Sequence, residues 1–186
     1  MQAKLARYAP IIIVAIGFFV LPILIHRLFP TALPASMPAL HEPRPVPAIE
    51  FKNGDGQSVT LDRFHGRAVL LNIWATWCGP CKAEMPSLNA LAAHFPDSDL
   101  AIVPISVDLS GAVAVRGYYK QLTLDKLPIY VDPQSKAMHA LGVVGIPTTL
   151  LIDRDGRETA RQLGALQWDA PAVIDGIAKI VARPPS

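Results

Sequence analysis

Between Ala68 and Ala75 the chain reads AVLLNIWA, seven apolar side chains broken only by Asn72, and three residues later comes the first of its two cysteines. An apolar run of strand length has no polar face to offer water. It therefore predicts a strand covered on both sides, in the interior of a sheet flanked by helices. Beyond it, Met85, Leu88, Leu91, Ala92 and Phe95 recur at three- and four-residue steps, the spacing of one helix face running to about residue 95. Pro80 falls in the first turn, where a missing amide is tolerated, and Pro86 should bend the helix. Cys78 and Cys81 thus sit where a buried strand hands over to a helix.

The chain around this unit alternates in the same manner. AIEFKNGDGQSVTL, residues 48–61, reads as two short strands about an Asn-Gly-Asp-Gly turn. LAIVPISVD, residues 100–108, is a second apolar strand, although Pro104 supplies no ladder hydrogen bond and calls for a bulge. A helix over 111–122, a short strand in 127–132 and a helix in 133–143 follow. A hairpin about Asp155 and Gly156 and an amphipathic helix over 169–181 complete the chain. Strands alternating with helices and ending in a hairpin predict an α/β domain with a mixed sheet.

The amino terminus is of another kind. Residues 8–25, YAPIIIVAIGFFVLPILI, hold no ionisable group except the Tyr8 phenol. Eighteen residues of helix span roughly 27 Å, close to a bilayer core. A cleaved signal peptide would have a shorter apolar stretch and small residues at its cleavage site. The nearest candidate site, LPAS at 33–36, puts Leu33 where a small residue is wanted. The span reads as an uncleaved anchor. Lys4 and Arg7 before it, against Arg27 after it, keep the amino terminus in the cytoplasm and send the remainder across. Residues 30–47 carry six prolines in eighteen positions and read as an extended spacer. The expected organisation is a cytoplasmic stub and transmembrane anchor over 1–29, a proline-rich linker over 30–47 and a domain over 48–186. That domain carries 13 basic and 14 acidic side chains, with nothing like the basic footprint of a nucleic-acid partner.

Two thiols two residues apart can bind metal, carry haem, clasp a loop or exchange electrons. Structural zinc needs four ligands, and His65, His94 and His139 stand isolated from the pair in sequence, so no metal is expected. Attached haem wants a histidine after the second cysteine, where Lys82 stands. A clasp across two residues closes too small a loop to constrain the chain. Electron exchange fits the position. At the start of a helix the Cys78 sulfur meets unpaired amides that favour thiolate, the attacking species, with Cys81 deeper as the resolving thiol. No cofactor is called for.

The motifs also carry a resemblance. WCGPCK at 77–82 is similar to the active site of thioredoxins, and GIPTT at 145–149 to their second signature. LLNIWATWCGPCKAEMPSL, PISVD, LPIYVDP, GVVGIPTTLLIDRDGR and LGALQW together resemble membrane-anchored thioredoxin-like reductases of the TlpA type, over about residues 48–182. The resemblance implies a thioredoxin-like fold with an N-terminal β-hairpin extension, preceded here by one transmembrane helix. It implies that Pro147 is cis and faces the cysteines. Ile146 would then offer backbone hydrogen bonds to a client, and Trp77, Gly79 and Pro80 would form the surface around the nucleophile. Glu84 corresponds to a glutamate of this group. Buried near Cys81 it would accept that thiol's proton; exposed, it would only favour the helix start. Asn72 stands where cytoplasmic thioredoxins carry a buried aspartate, and it cannot titrate.

The Gly79-Pro80 dipeptide is that of reducing thioredoxins. The expected function is a thiol–disulfide reductase in the bacterial inner membrane with its catalytic domain in the periplasm. It would be recharged by a transmembrane electron donor of the DsbD or CcdA kind. By resemblance its disulfide-bearing clients would be metal-site cysteines met during cytochrome c or cytochrome oxidase biogenesis. A disulfide oxidant or isomerase, and a copper-binding carrier, remain as alternatives.

Overall fold

The structure, a computed structural model, describes residues 37–95 and 99–183. The expected anchor over residues 8–25 lies outside the described residues. Among the described residues no helix is long and apolar enough to cross a membrane.

A β-hairpin over Glu50–Thr60 opens the domain expected from the sequence. β2 (Glu50–Asn53) and β3 (Ser58–Thr60) pair antiparallel, and the Asn53 carboxamide oxygen accepts the amides of Asp55 and Gln57 to close the turn. After a short 3-10 turn come β4 (Ala68–Trp74), α1 (Gly79–His94), β5 (Leu100–Ser106), α2 (Ala112–Leu122) and β6 (Tyr130–Val131). Then follow α3 (Lys136–Ala140), β7 (Thr148–Ile152), β8 (Arg157–Leu163) and α4 (Pro171–Val181). Before all of these stands β1 (Ala39–Pro45). The eight strands form one sheet in the order β1-β8-β7-β4-β5-β6-β2-β3.

β4 is buried along its whole length, as its apolar run requires, with β5 parallel on one side and β7 antiparallel on the other. Going from β4 to β5 to β6 the sheet advances in one direction. Right-handed crossovers then place α1 and α2 on the same face. The contacts agree: the Tyr118 hydroxyl on α2 donates to the Lys82 carbonyl on α1 at 3.2 Å. Trp74, from β4, stacks on Tyr119 with ring centroids 5.8 Å apart. Met85, Leu88 and Leu91 turn into the core from α1, as the three- and four-residue spacing predicts.

Pro104 needs no bulge. It pairs with Asn72 in unbroken parallel register. The Val107 amide donates to Trp74 on β4, whereas the Ser106 carbonyl accepts from Asp132 beyond β6. By strand alternation position 104 faces the same way as 106, towards β6, and β6 meets β5 only at Ile105 and Ser106. The missing amide therefore falls where no ladder runs.

The spacer assigned to residues 30–47 is corrected over Ala39–Pro45, which adds to β8 as an antiparallel edge strand. An edge strand tolerates its prolines because one of its sides has no ladder to feed. The pairing register breaks between Ala39 and Arg44. The Arg44 guanidinium then closes on Glu158 of β8, its Nε 2.9 Å from Oε2, and Arg161 holds the same carboxylate from its own strand.

Candidate active site

At the end of β4 the chain passes through Ala75, Thr76 and Trp77 before α1 begins. Asp108, just beyond β5 and buried, fixes this loop. Its Oδ2 accepts the Thr76 amide at 2.8 Å and its Oδ1 accepts the Thr76 hydroxyl at 2.6 Å, while Ser106 donates to it from behind. Cys78 is the N-cap of α1, with Gly79 and Pro80 in the first turn. Its sulfur accepts the Cys81 amide at 3.2 Å, the orphan donor that a helix start supplies. Cys78 and Cys81 are joined in a disulfide, the oxidised state of the pair. Cys81 is fully buried and Cys78 keeps 7% of its surface, so an incoming thiolate reaches Cys78 first.

Around that sulfur the exposed groups are apolar or bare. Trp77 is 67% exposed and contributes surface; the buried core position belongs to Trp74. A side chain at Gly79 would meet no atom within 4 Å, which leaves open space before the backbone there. The Ile146–Pro147 peptide bond is cis, and the Ile146 carbonyl oxygen lies 3.8 Å from the Cys78 sulfur. Pro147 in turn accepts the Gly164 amide through its carbonyl, which ties its loop to the end of β8.

Glu84 lies one turn beyond Cys81 on the same face of α1 and is only 1% exposed. Its Oε1 accepts Asn72 Nδ2 at 2.8 Å from β4. Its Oε2 accepts the Leu166 amide at 3.1 Å and Trp168 Nε1 at 2.9 Å. Burial pushes the carboxyl up to about 7 even though these three hydrogen bonds pull it down. A buried acid poised near neutrality, one turn from the inner sulfur, can take and return a proton where water cannot reach. The segment that supplies two of the donors is stitched to α1 again where the Trp168 amide donates to Ser87 Oγ at 3.1 Å.

The sequence motifs brought Cys78, Cys81, Trp77, Glu84, Ile146 and Pro147 to attention, and the fold gathers the cysteines, Trp77 and Glu84 at the start of α1, with Ile146 beside the Cys78 sulfur. The motifs did not reveal Leu166, Trp168 and Thr149 as the setting of the buried acid, nor Asp108 as the clamp on the loop before Cys78. The LGALQW and PISVD segments hold three of those four residues. Their chemistry lies in hydrogen bonds that reach over 32 to 84 positions, which spacing does not disclose.

A helix-capping disulfide beside a cis-proline loop on a mixed sheet defines a redox domain of thioredoxin-like fold. The Redoxin family matches residues 42–176, and the chain belongs to it. It is similar to the thiol-disulfide oxidoreductase ResA of Bacillus thuringiensis, 36% identical over 103 residues that cover 55% of this chain and 58% of that protein. Against ResA of Bacillus subtilis the identity is 30% over 123 residues, 66% of this chain and 68% of the relative. The chain thus spans less than two thirds of the first of these relatives. A crystal structure assigned as a thiol:disulfide interchange protein DsbE from Chlorobium tepidum superposes with a TM-score of 0.68 at 26% identity. That match covers 77% of this chain and 99% of that one.

Proposed function

We propose that this protein is a membrane-anchored periplasmic thiol–disulfide reductase acting on disulfides of client proteins. The observation that carries the reading is the buried Glu84 one turn from Cys81. In the reduced pair, Cys78 thiolate attacks a client disulfide; one client sulfur leaves as thiolate and a mixed disulfide forms. Cys81 then gives its proton to Glu84 and attacks the Cys78 sulfur. The second client thiolate leaves, and the Cys78–Cys81 disulfide seen here remains. Two electrons pass to the client, and two protons complete its thiols, one of them returned from Glu84. A carboxylate buried beside the pair also disfavours its thiolate form, which makes the pair a better electron donor.

The anchor reading rests on residues 8–25 and the charges that flank them. An electron donor of the DsbD or CcdA kind would regenerate the dithiol. Clients with metal-site cysteines, as in cytochrome c or oxidase assembly, are what the resemblance to TlpA-type reductases implies, and the likeness to the thiol-disulfide oxidoreductase ResA is compatible with them. The test is the reduction potential of the Cys78–Cys81 pair in glutathione or dithiothreitol buffers. A value below about −220 mV supports a reductase, whereas one near about −120 mV makes the protein a disulfide donor instead.

A further inference from the structure

We infer that Asn72 is a positioning residue whose carboxamide reverses as Glu84 gains and loses its proton, serving the ionised acid as donor and the protonated acid as acceptor. The inference rests on the reading of Glu84 as the proton acceptor for Cys81. It begins from a mismatch of hydrogen-bonding types. Every group that contacts the Glu84 carboxylate is a donor: Asn72 Nδ2 at Oε1, and the Leu166 amide and Trp168 indole at Oε2. That set suits a carboxylate, which only accepts. A protonated carboxyl must donate one hydrogen bond. Of the three groups, the backbone amide and the indole are donors only, whereas a carboxamide can turn about its last bond and present oxygen.

Oε1 is the oxygen to protonate, because Asn72 is its partner and Oε2 already holds two donors. The surroundings of Asn72 permit the reversal. Nδ2 has two neighbours, Glu84 Oε1 and Thr149 Oγ1, each at 2.8 Å. Once the acid is protonated, both carry hydroxyl hydrogens and both can donate to an oxygen in that place. Asn72 Oδ1, on the far side, is buried and accepts no hydrogen bond from the described residues. Turning the group exchanges one unpaired polar atom for another rather than adding one. Asn72 is itself fully buried, so bulk water does not compete for either orientation.

The titratable and charged groups about Glu84 are few. Cys81 precedes it by one turn on α1 and does not titrate in the disulfide. The facing side chains from β4, β7 and the 166–168 segment are Asn72, Thr149 and Trp168, all uncharged at neutral pH. The oxidised protein therefore presents the switch in isolation from thiol chemistry.

The experiment uses the whole oxidised chain labelled with 15N at asparagine and 13C at the glutamate carboxyl, followed by NMR from pH 4 to 9. Only three asparagines are present, Asn53, Asn72 and Asn89, so the carboxamide signals are few. The Asn72 side-chain nitrogen should shift with the same midpoint as the Glu84 carboxyl, and the contact of its NH2 protons with Thr149 should be lost below that midpoint. An Asn72 signal and Thr149 contact unchanged while Glu84 titrates would overturn the inference, as would a Glu84 that does not titrate in this range. Asn72→Leu supplies a second readout: because a reversing carboxamide serves both forms of the acid, the Glu84 midpoint should rise by less than about one pH unit, whereas a rise of about two units is the mark of a donor fixed in place and would overturn the inference. Failure of the proton-acceptor reading is seen separately, as a Glu84→Gln protein whose mixed disulfides resolve at the unaltered rate while the Asn72 signal still follows Glu84 in the parent chain.

Discussion

Replacing Glu84 by glutamine should change how stability depends on pH, and the size of the change follows from the site. In the unfolded chain the carboxyl ionises near its ordinary value of 4.5, but in the folded protein burial holds it up to about 7. Below 4.5 both states keep the proton and the group is neutral to folding. As pH rises from 4.5 towards 7 the unfolded chain loses its proton while the folded one keeps it, so stability falls. Above 7 both are ionised and the loss is complete. A gap of that width, at about 1.4 kcal/mol per pH unit, comes to about 3 kcal/mol. This is a large part of the 5–15 kcal/mol that a domain typically has. Denaturant unfolding of the oxidised parent and variant, at intervals from pH 4 to 8, measures it. Glutamine brings its own pH-independent difference in hydrogen bonding, and other carboxyls titrate in both proteins, so the informative quantity is the change in their difference. The variant should gain about 3 kcal/mol on the parent across this interval. Curves that run parallel would refute the claim that the folded protein carries an acid perturbed by burial at this position.

Three further outcomes are expected. Cys78→Ser should abolish exchange with a disulfide client, whereas Cys81→Ser should stop at a mixed disulfide between Cys78 and the client, visible by mass spectrometry as a covalent adduct. Asp108→Ala leaves the Thr76 amide and hydroxyl and the Ser106 hydroxyl without their acceptor, a loss of about 2–4 kcal/mol on unfolding, with slower disulfide reduction as the loop before Cys78 loosens. Arg44→Ala should speed amide exchange in β1 while leaving β4 and β5 protected. Acid should act on the parent in the same direction. Burial pushes Glu158 up, but Arg161 and Arg44 outweigh it and hold the carboxyl below its ordinary 4.5, so the clasp contributes above that value and is lost as pH falls through the lower folded one.

The centre of the fold was legible because its signals are local. Seven buried positions in a row mark β4, the recurrence of Met85, Leu88 and Leu91 marks α1, and Asn53 and Asp153 close their turns by themselves. The two surprises both involve proline, whose meaning depends on which side of the strand faces a neighbour. Pro104 reads as a break until the short reach of β6 is known, and the prolines of 39–45 read as a spacer until β8 is seen to present an open edge. At the site, the cysteines and Glu84 announce themselves within about two helix turns of sequence. Two of the three donors that tune Glu84 arrive from 82 and 84 residues away. A backbone amide such as that of Leu166 leaves no mark in the sequence, and an indole N–H announces a donor without naming its acceptor.

The edge position of β1 bears on how such a protein behaves in crowded company. A protein with the proposed function would meet clients that are incompletely folded and rich in unpaired backbone, and an open sheet edge would recruit them as added strands. Here one margin of the sheet ends in a strand carrying Pro43 and Pro45, which have no amide to donate, together with the charged Glu42 and Arg44. The opposite margin is the three-residue β3, too short to template a long partner. Neither margin of the described sheet thus offers a long ladder for another chain to extend, and on the proposed function backbone pairing with a client would fall to the loop at Ile146, whose carbonyl oxygen lies 3.8 Å from the Cys78 sulfur.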